Sequence, residues 1–303
     1  MTMGICEGRV AIVTGAGNGL GRAYALGLAA EGAKLVVNDL GVGTHGEAGL
    51  TKGAAEQVVE EIRAMGGEAV ANTDDVADWD AGKRMVEAAL DSFGRLDAVV
   101  NNAGFVRDRM FFTCSPEEWD AVIRVHLRGH FCTSRHAAEH WRAQAKAGNP
   151  VDARIINTTS GAGLQGSVGQ SAYSAAKGGI AALTLVQAAE LARIGVTANA
   201  LAPNARTRMT DTGHFDMEAK DGVFDVFAPE NMAPLVAYLV SEQSKGVTGQ
   251  VFELKGGTLF LSQGWTDSPA HDKGARFEAG ELDPIVRRLL ETREPAKPVY
   301  GAA

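Results

Sequence analysis

Cysteine is scarce in this chain, and so are the features that would tie it to a membrane, a metal or a nucleic acid. Its three cysteines, Cys6, Cys114 and Cys132, are an odd number without CxxC spacing. They argue against a disulfide framework and read as free thiols in a reducing compartment. No apolar run is long enough to span a bilayer, and residues 1–8 lack the apolar centre of a secretory signal. The seven histidines show neither HExxH spacing nor pairing with cysteine, so no metal site is expected. Basic residues number 29 against 37 acidic ones, for a formal net charge of -8. A sequence-independent nucleic-acid binder needs the opposite balance. The expectation is a soluble, cytoplasmic protein acting on a small molecule, with no nucleic-acid or membrane partner.

What is present is ample material for a core: 303 residues, 45% hydrophobic and 22% charged. Arg9-Val10-Ala11-Ile12-Val13-Thr14 reads as a buried strand. Gly15-Ala16-Gly17-Asn18-Gly19-Leu20-Gly21 follows at once, then a helical pattern that stops near Gly32. Strand, glycine turn and helix form the context of a phosphate-binding turn. Glycines let the backbone approach a pyrophosphate, and the helix N-terminus offers unpaired N–H groups. Gly15, Asn18, Gly19, Leu20 and Gly21 are the candidate contacts; a flexible turn is the alternative. Asp39 ends a second strand, 18 residues after Gly21. A carboxylate there accepts hydrogen bonds from a ribose and repels a 2′-phosphate. Neither Leu40 nor Gly41 is basic, and Asn18 is not basic either, so the pattern favours NAD over NADP. A turn-capping role is the alternative for Asp39.

Residues 41–53 form a glycine-rich polar loop, expected to be mobile. Strands are then expected at 68–73, ending near Asp75 and Val76, and at 96–101, followed by Asn102, Ala103 and Gly104. Helices are expected between them, at 54–65 and 80–93. Alternation of this kind predicts an α/β fold with one doubly wound parallel sheet, about seven strands, covered by helices on both faces.

In the second half, Ser171-Ala172-Tyr173-Ser174-Ala175-Ala176-Lys177 reads as a helix with Tyr173 and Lys177 on one face. An ammonium beside a phenol favours the phenolate and makes a general acid/base near neutral pH. Upstream, residues 154–160 read as a buried strand ending in hydroxyls, with Ser160 placed to hold the oxygen on which Tyr173 acts.

Together these motifs resemble the short-chain dehydrogenase/reductase family, over roughly residues 8–257. The resemblance implies a Rossmann-type domain over 1–257, with cofactor and catalytic site together, and a packed extension over 258–303. It implies NAD as cofactor, held by the glycine turn, Asp39, Asp75, Val76, Asn102, Ala103, Gly104, Tyr173, Lys177, Pro203 and Thr207. Ser160, Tyr173 and Lys177 would be catalytic. The family's usual relay Asn is replaced by His126, in Val125-His126-Leu127-Arg128-Gly129. His126 is either a relay or a buried structural residue. That segment, with Asn204 after Pro203 and the Asp108-Arg109 pair, is similar to the dehydrogenase modules of peroxisomal β-oxidation enzymes and to related bacterial proteins. The likeness implies a 3-hydroxyacyl-CoA or steroid alcohol as substrate. A 3-oxoacyl reductase is a further alternative, and a non-catalytic NAD sensor is disfavoured by the intact Ser160, Tyr173 and Lys177. The family resemblance also implies a homodimer or homotetramer through the helix running from Pro116 towards Lys146 and the helix that carries Tyr173, while the polar, weakly helical stretch 210–222 reads as a substrate lid. Arg287, Arg288 and Arg293 either meet CoA phosphates or are simply solvated.

Overall fold

A computed structural model describes residues 4–43, 53–207, 217, 219 and 222–302. The expected lid at 210–222 and most of the loop at 41–53 lie outside the described residues. The elements run β1 (Val10–Thr14), α1 (Gly19–Ala30), β2 (Lys34–Asn38), α2 (Ala54–Ala64), β3 (Ala69–Asn72), α3 (Trp79–Phe93) and β4 (Ala98–Asn101). Then come α4 (Pro116–Ile123), a π turn (Arg124–Arg128), α5 (Gly129–Lys146), β5 (Ala153–Thr158), α6 (Gly161–Gln165) and α7 (Ser171–Leu191). β6 (Val196–Asn204), α8 (Ala233–Val240), β7 (Val251–Lys255), β8 (Thr258–Leu261) and α9 (Leu282–Thr292) follow.

The strands form a single sheet in the order β3-β2-β1-β4-β5-β6-β7-β8. The first seven are parallel; β8 pairs antiparallel with β7, with Phe252 opposite Leu261. The eighth strand is one more than the sequence pattern suggested. The turn at residues 256–257 is tight, so the chain folds back as a hairpin. Position 257/258 therefore falls inside a hairpin.

Strand periodicity builds two cores. Along β1, Ala11 and Val13 face a layer with Tyr24 and Leu28 of α1 and Val58 and Ile62 of α2. Val10 and Ile12 face the other layer, with Met85 of α3 and Trp141 of α5. Successive residues on a strand point to opposite faces, and both faces are helix-covered, so the strand must be apolar throughout. α4 starts at a full capping box: Ser115 accepts the Glu118 N–H, and Glu118 accepts the Ser115 N–H.

The direction of strand crossover reverses between β1 and β4. Loops at the carboxyl ends of strands part there and leave a crevice, which is where such sheets bind ligands. The sheet topology thus sets the place of the site before any side chain is considered.

Candidate active site

At that crevice lies a cleft of about 440 Å³. Its lining includes Gly15, Asn18–Gly21, Asp39, Asp75, Val76, Asn102–Gly104 and Thr207. Twelve residues singled out from the sequence thus meet in one cavity. Pro203 is not among its lining residues; it sits within β6, paired with Leu254 of β7. The strand runs on through Asn204 and carries Pro203 into the ladder.

The glycine turn is shaped by its neighbours. Gly19 has φ +51, a backbone region that side chains rarely adopt. A Cβ on Gly15 would lie 2.7 Å from Ala103 Cα, and one on Gly21 would lie 2.0 Å from the Gly15 carbonyl oxygen. Asn102 clamps the turn to β4, its Nδ2 donating to the carbonyls of Thr14 and Gly15 at 3.1 and 3.2 Å. The first turn of α1 holds no acid, and Asn18 makes no side-chain cap bond. Its N–H groups are left to an anion. Against the glycine turn, the Asp39 carboxylate accepts the N–H groups of Gly17 and Gly41, both at 2.8 Å. An open helix N-terminus and a carboxylate at the next strand end suit a ligand with a pyrophosphate flanked by a ribose.

Asp75 is braced rather than free. One carboxylate oxygen accepts the Ala77 N–H at 2.9 Å; the other accepts Arg124 at 2.8 Å. Arg124 also lines the cleft, as do Phe105 and Arg107. These three carry no motif signal, because only the folded chain brings the π turn and the 105–107 loop to the cofactor side.

Beside the cleft, at the end of β5, the catalytic candidates converge. Ser160 caps α6, accepting the Ala162 N–H at 3.2 Å, and its hydroxyl hydrogen-bonds the Tyr173 side chain. Lys177 lies one helical turn after Tyr173 on α7, 2% exposed, with Nζ 5.6 Å from the tyrosine ring centre. Its ammonium donates to the Thr158 carbonyl at 2.6 Å. Burial lowers the Lys177 pKa to about 7. Burial also raises the Tyr173 phenol, against the Ser160 hydrogen bond, which lowers it, and with a smaller upward push from Asp108. The sequence pairing predicts a lowered phenol, whereas in the ligand-free fold desolvation dominates.

His126 sits in the π turn, 1% exposed, edge-on to the Tyr173 ring at 5.2 Å. Nε2 lies 3.1 Å from the Phe105 nitrogen and 2.7 Å from its carbonyl oxygen. Burial, with Lys177 nearby, pulls its pKa down to about 3, so the ring is neutral at physiological pH. It also sets a backbone requirement: a Cβ on Gly104 would fall 2.1 Å from the ring.

A hydroxyl, a phenol and an ammonium set beside a phosphate-ready cleft make a site for proton exchange at a substrate oxygen. The short chain dehydrogenase family model matches residues 9–218. This chain belongs to the short-chain dehydrogenase family. It is 44% identical over 302 residues to the hydroxyacyl-CoA dehydrogenase ChsB1 of Mycobacterium tuberculosis, across 95% of this chain and 90% of that one. It is 46% identical to the mouse peroxisomal multifunctional enzyme type 2, across 86% of this chain and 32% of that longer protein. Among solved structures, a short-chain dehydrogenase from Mycobacterium avium superposes with TM-score 0.89 at 56% identity, covering 99% and 100% of the two chains. Another, from Mycobacterium paratuberculosis and bound to NAD, gives 0.71 at 26% identity, covering 84% and 98%. The chain is thus a member of a dehydrogenase family, and its similarity to a peroxisomal multifunctional enzyme matches what its motifs implied.

Proposed function

We propose that this short-chain dehydrogenase oxidises the hydroxyl of a 3-hydroxyacyl-CoA to the ketone, with NAD+ as cofactor. The convergence of Ser160, Tyr173 and Lys177 beside the cleft carries the reading, and the hydroxyacyl-CoA dehydrogenase among its relatives supports the substrate class. NAD fits the open N-terminus of α1 and the Asp39 carboxylate, and a solved relative is bound to it. Bound NAD+ supplies the hydride acceptor. Ser160 holds the substrate oxygen. Tyr173 accepts its proton as the carbon–hydrogen bond breaks, and Lys177 supplies the positive charge that offsets the phenol's burial. His126, neutral and tied to Phe105, serves as a brace under Gly104 and Tyr173 rather than as a proton carrier.

NADH formation with NAD+ and a racemic medium-chain 3-hydroxyacyl-CoA tests the reading, with a hydroxysteroid in parallel. Turnover of the thioester is expected; turnover of the steroid alone would replace the substrate class. Cofactor choice is a separate test. Replacing Asp39 with Ala removes a charged acceptor and lets go of Gly17 and Gly41. We expect NAD+ affinity to fall about tenfold to a hundredfold, from a lost charged hydrogen bond of about 1.5–3 kcal/mol. NADP+ affinity should fall less or rise, because the repulsion of a 2′-phosphate is gone. Equal losses for both cofactors in a titration would mean that Asp39 only caps the turn.

An assembly of like chains is part of the proposal. Phe131 on α5 and Leu185 and Val186 on α7 are 44–53% exposed, and such apolar faces support packing against a second copy.

A further inference from the structure

His130 belongs to no motif, yet it is the side chain through which α5 touches the catalytic strand. It lies one helical turn after His126 and is 2% exposed. Its Nε2 accepts the Thr158 N–H at 3.3 Å. Its ring also lies close to the main chain of His126, within the π turn. A π turn widens the helical ladder, and such turns cluster at functional sites. The same Thr158 offers its carbonyl to the Lys177 ammonium at 2.6 Å. The neighbouring Thr159 closes the ring, its Oγ1 donating to the Lys177 carbonyl at 2.6 Å. One turn further along α5, Ser134 accepts Asn101 Nδ2 at 2.8 Å, and Asn101 donates also to Asn157 at 2.9 Å. One face of α5 thus holds the ends of β4 and β5.

We propose that His130 is a positioning residue for catalysis: it fixes Thr158 and the π turn together, and so sets where the Lys177 ammonium stands relative to Tyr173. Three features single out histidine for the task. It accepts on one nitrogen and can donate on the other, so it can join an N–H to a main-chain oxygen. Its ring reaches from a helix to a strand end without water. It also stays neutral: burial, then the nearby Lys177 and His126, hold its pKa well below the ordinary histidine value. A neutral link adds no charge to compete with the ammonium. The ionisable groups facing it are Lys177 from α7 and His126 from the π turn.

The proposal rests on the Tyr173–Lys177 chemistry above, so its test uses two readouts. One is kcat and KM with NAD+ and the hydroxyacyl-CoA. The other is ultraviolet difference titration of the tyrosinate, blanked with Tyr173→Phe, which needs no substrate. His130→Ala is expected to lower kcat roughly tenfold to a hundredfold, the scale set by a small misplacement of a catalytic group. KM should stay within about twofold, and the Tyr173 titration should shift, because the amine and the phenol titrate as a coupled pair whose spacing has changed. His130→Asn, which keeps an acceptor and a donor on a shorter arm, should recover part of both. If His130→Ala does not fold, His130→Asn and His130→Leu decide, since leucine fills the space without the hydrogen bond. A folded His130→Leu or His130→Ala protein with wild-type kcat and an unmoved titration would overturn the proposal and leave His130 as filling. A wild-type protein without turnover on any offered alcohol would sink the substrate reading instead, while the titration would still decide the part played by His130.

Discussion

Tyr173→Phe should lower kcat for alcohol oxidation by about 10³-fold, near the upper range of what a positioned acid/base group contributes. Nothing else in the site can take over. Ser160 offers a hydroxyl of far higher pKa, His126 is neutral and tied to Phe105, and Lys177 is already engaged by the Thr158 carbonyl. The lost atom is one phenolic oxygen that hydrogen-bonds Ser160. The ring itself packs edge-on to His126 and keeps its place. Folding and cofactor affinity should therefore change little, and KM should rise by less than kcat falls. Steady-state kinetics with parallel cofactor titration checks this. A mutant retaining a tenth or more of wild-type kcat would show that the proton leaves by another route.

The second large effect is expected far from the site, at the amino ends of the strands. Arg9 and Arg154 are 4% and 1% exposed and share a single carboxylate, Asp152. Arg154 grips it with two nitrogens at 2.7 and 2.9 Å, and Arg9 adds a third contact at 3.1 Å. Their remaining bonds go to main-chain oxygens of Asp152, Ala153, Val240 and Ser241 and to the Ser244 hydroxyl. The clasp ties β1 and β5 to the end of α8. Asp152→Asn would leave two buried guanidinium groups facing each other. Removing one partner of a buried pair costs about 3–5 kcal/mol; Asp152 reaches solvent, so about 2–3 kcal/mol is expected here. For a chain of 303 residues that corresponds to a Tm lowered by roughly 3–5 °C.

The same clasp has a pH signature. Burial opposes ionisation of Asp152, but the Arg154 hydrogen bonds outweigh it and hold the carboxyl below its ordinary 3.8. A depressed carboxyl stabilises the fold above its unfolded pKa and loses that contribution as pH falls through the folded one. The wild-type protein should therefore lose stability below about pH 4, and Asp152→Asn should lose less over that interval. Thermal unfolding of both proteins across acid pH measures it. Identical slopes would mean that the arginines find other partners.

The two predictions differ in how far the sequence alone foretold them. Tyr173, Lys177 and Ser160 stand in short local patterns. A period of four on a helix places the first two on one face, and a strand end places the third. The glycine turn and Asp39 are similarly local, because strand, turn and helix follow one another within residues 9–39. Continuous apolar runs in β1, β2 and β4 pointed to a parallel sheet, since a sheet covered on both faces calls for strands that are apolar throughout. Chain order thus determined the fold class and marked the candidate cofactor-binding and acid/base residues.

Other features depended on contacts between residues far apart in the chain. Arg9 and Asp152 are 143 residues apart, and an arginine inside an apolar strand carries no mark of its partner. His130 and Thr158 are 28 apart and share no motif. β8 was hidden because a hairpin onto an edge strand needs only a turn and four residues. Spacing alone also pointed the Tyr173 shift the wrong way, because it reports neighbours while burial is set by everything that packs around them. Periodicity and spacing are properties of one segment and were legible in the sequence. Pairing and desolvation arise only when segments meet, and the tertiary structure decided them.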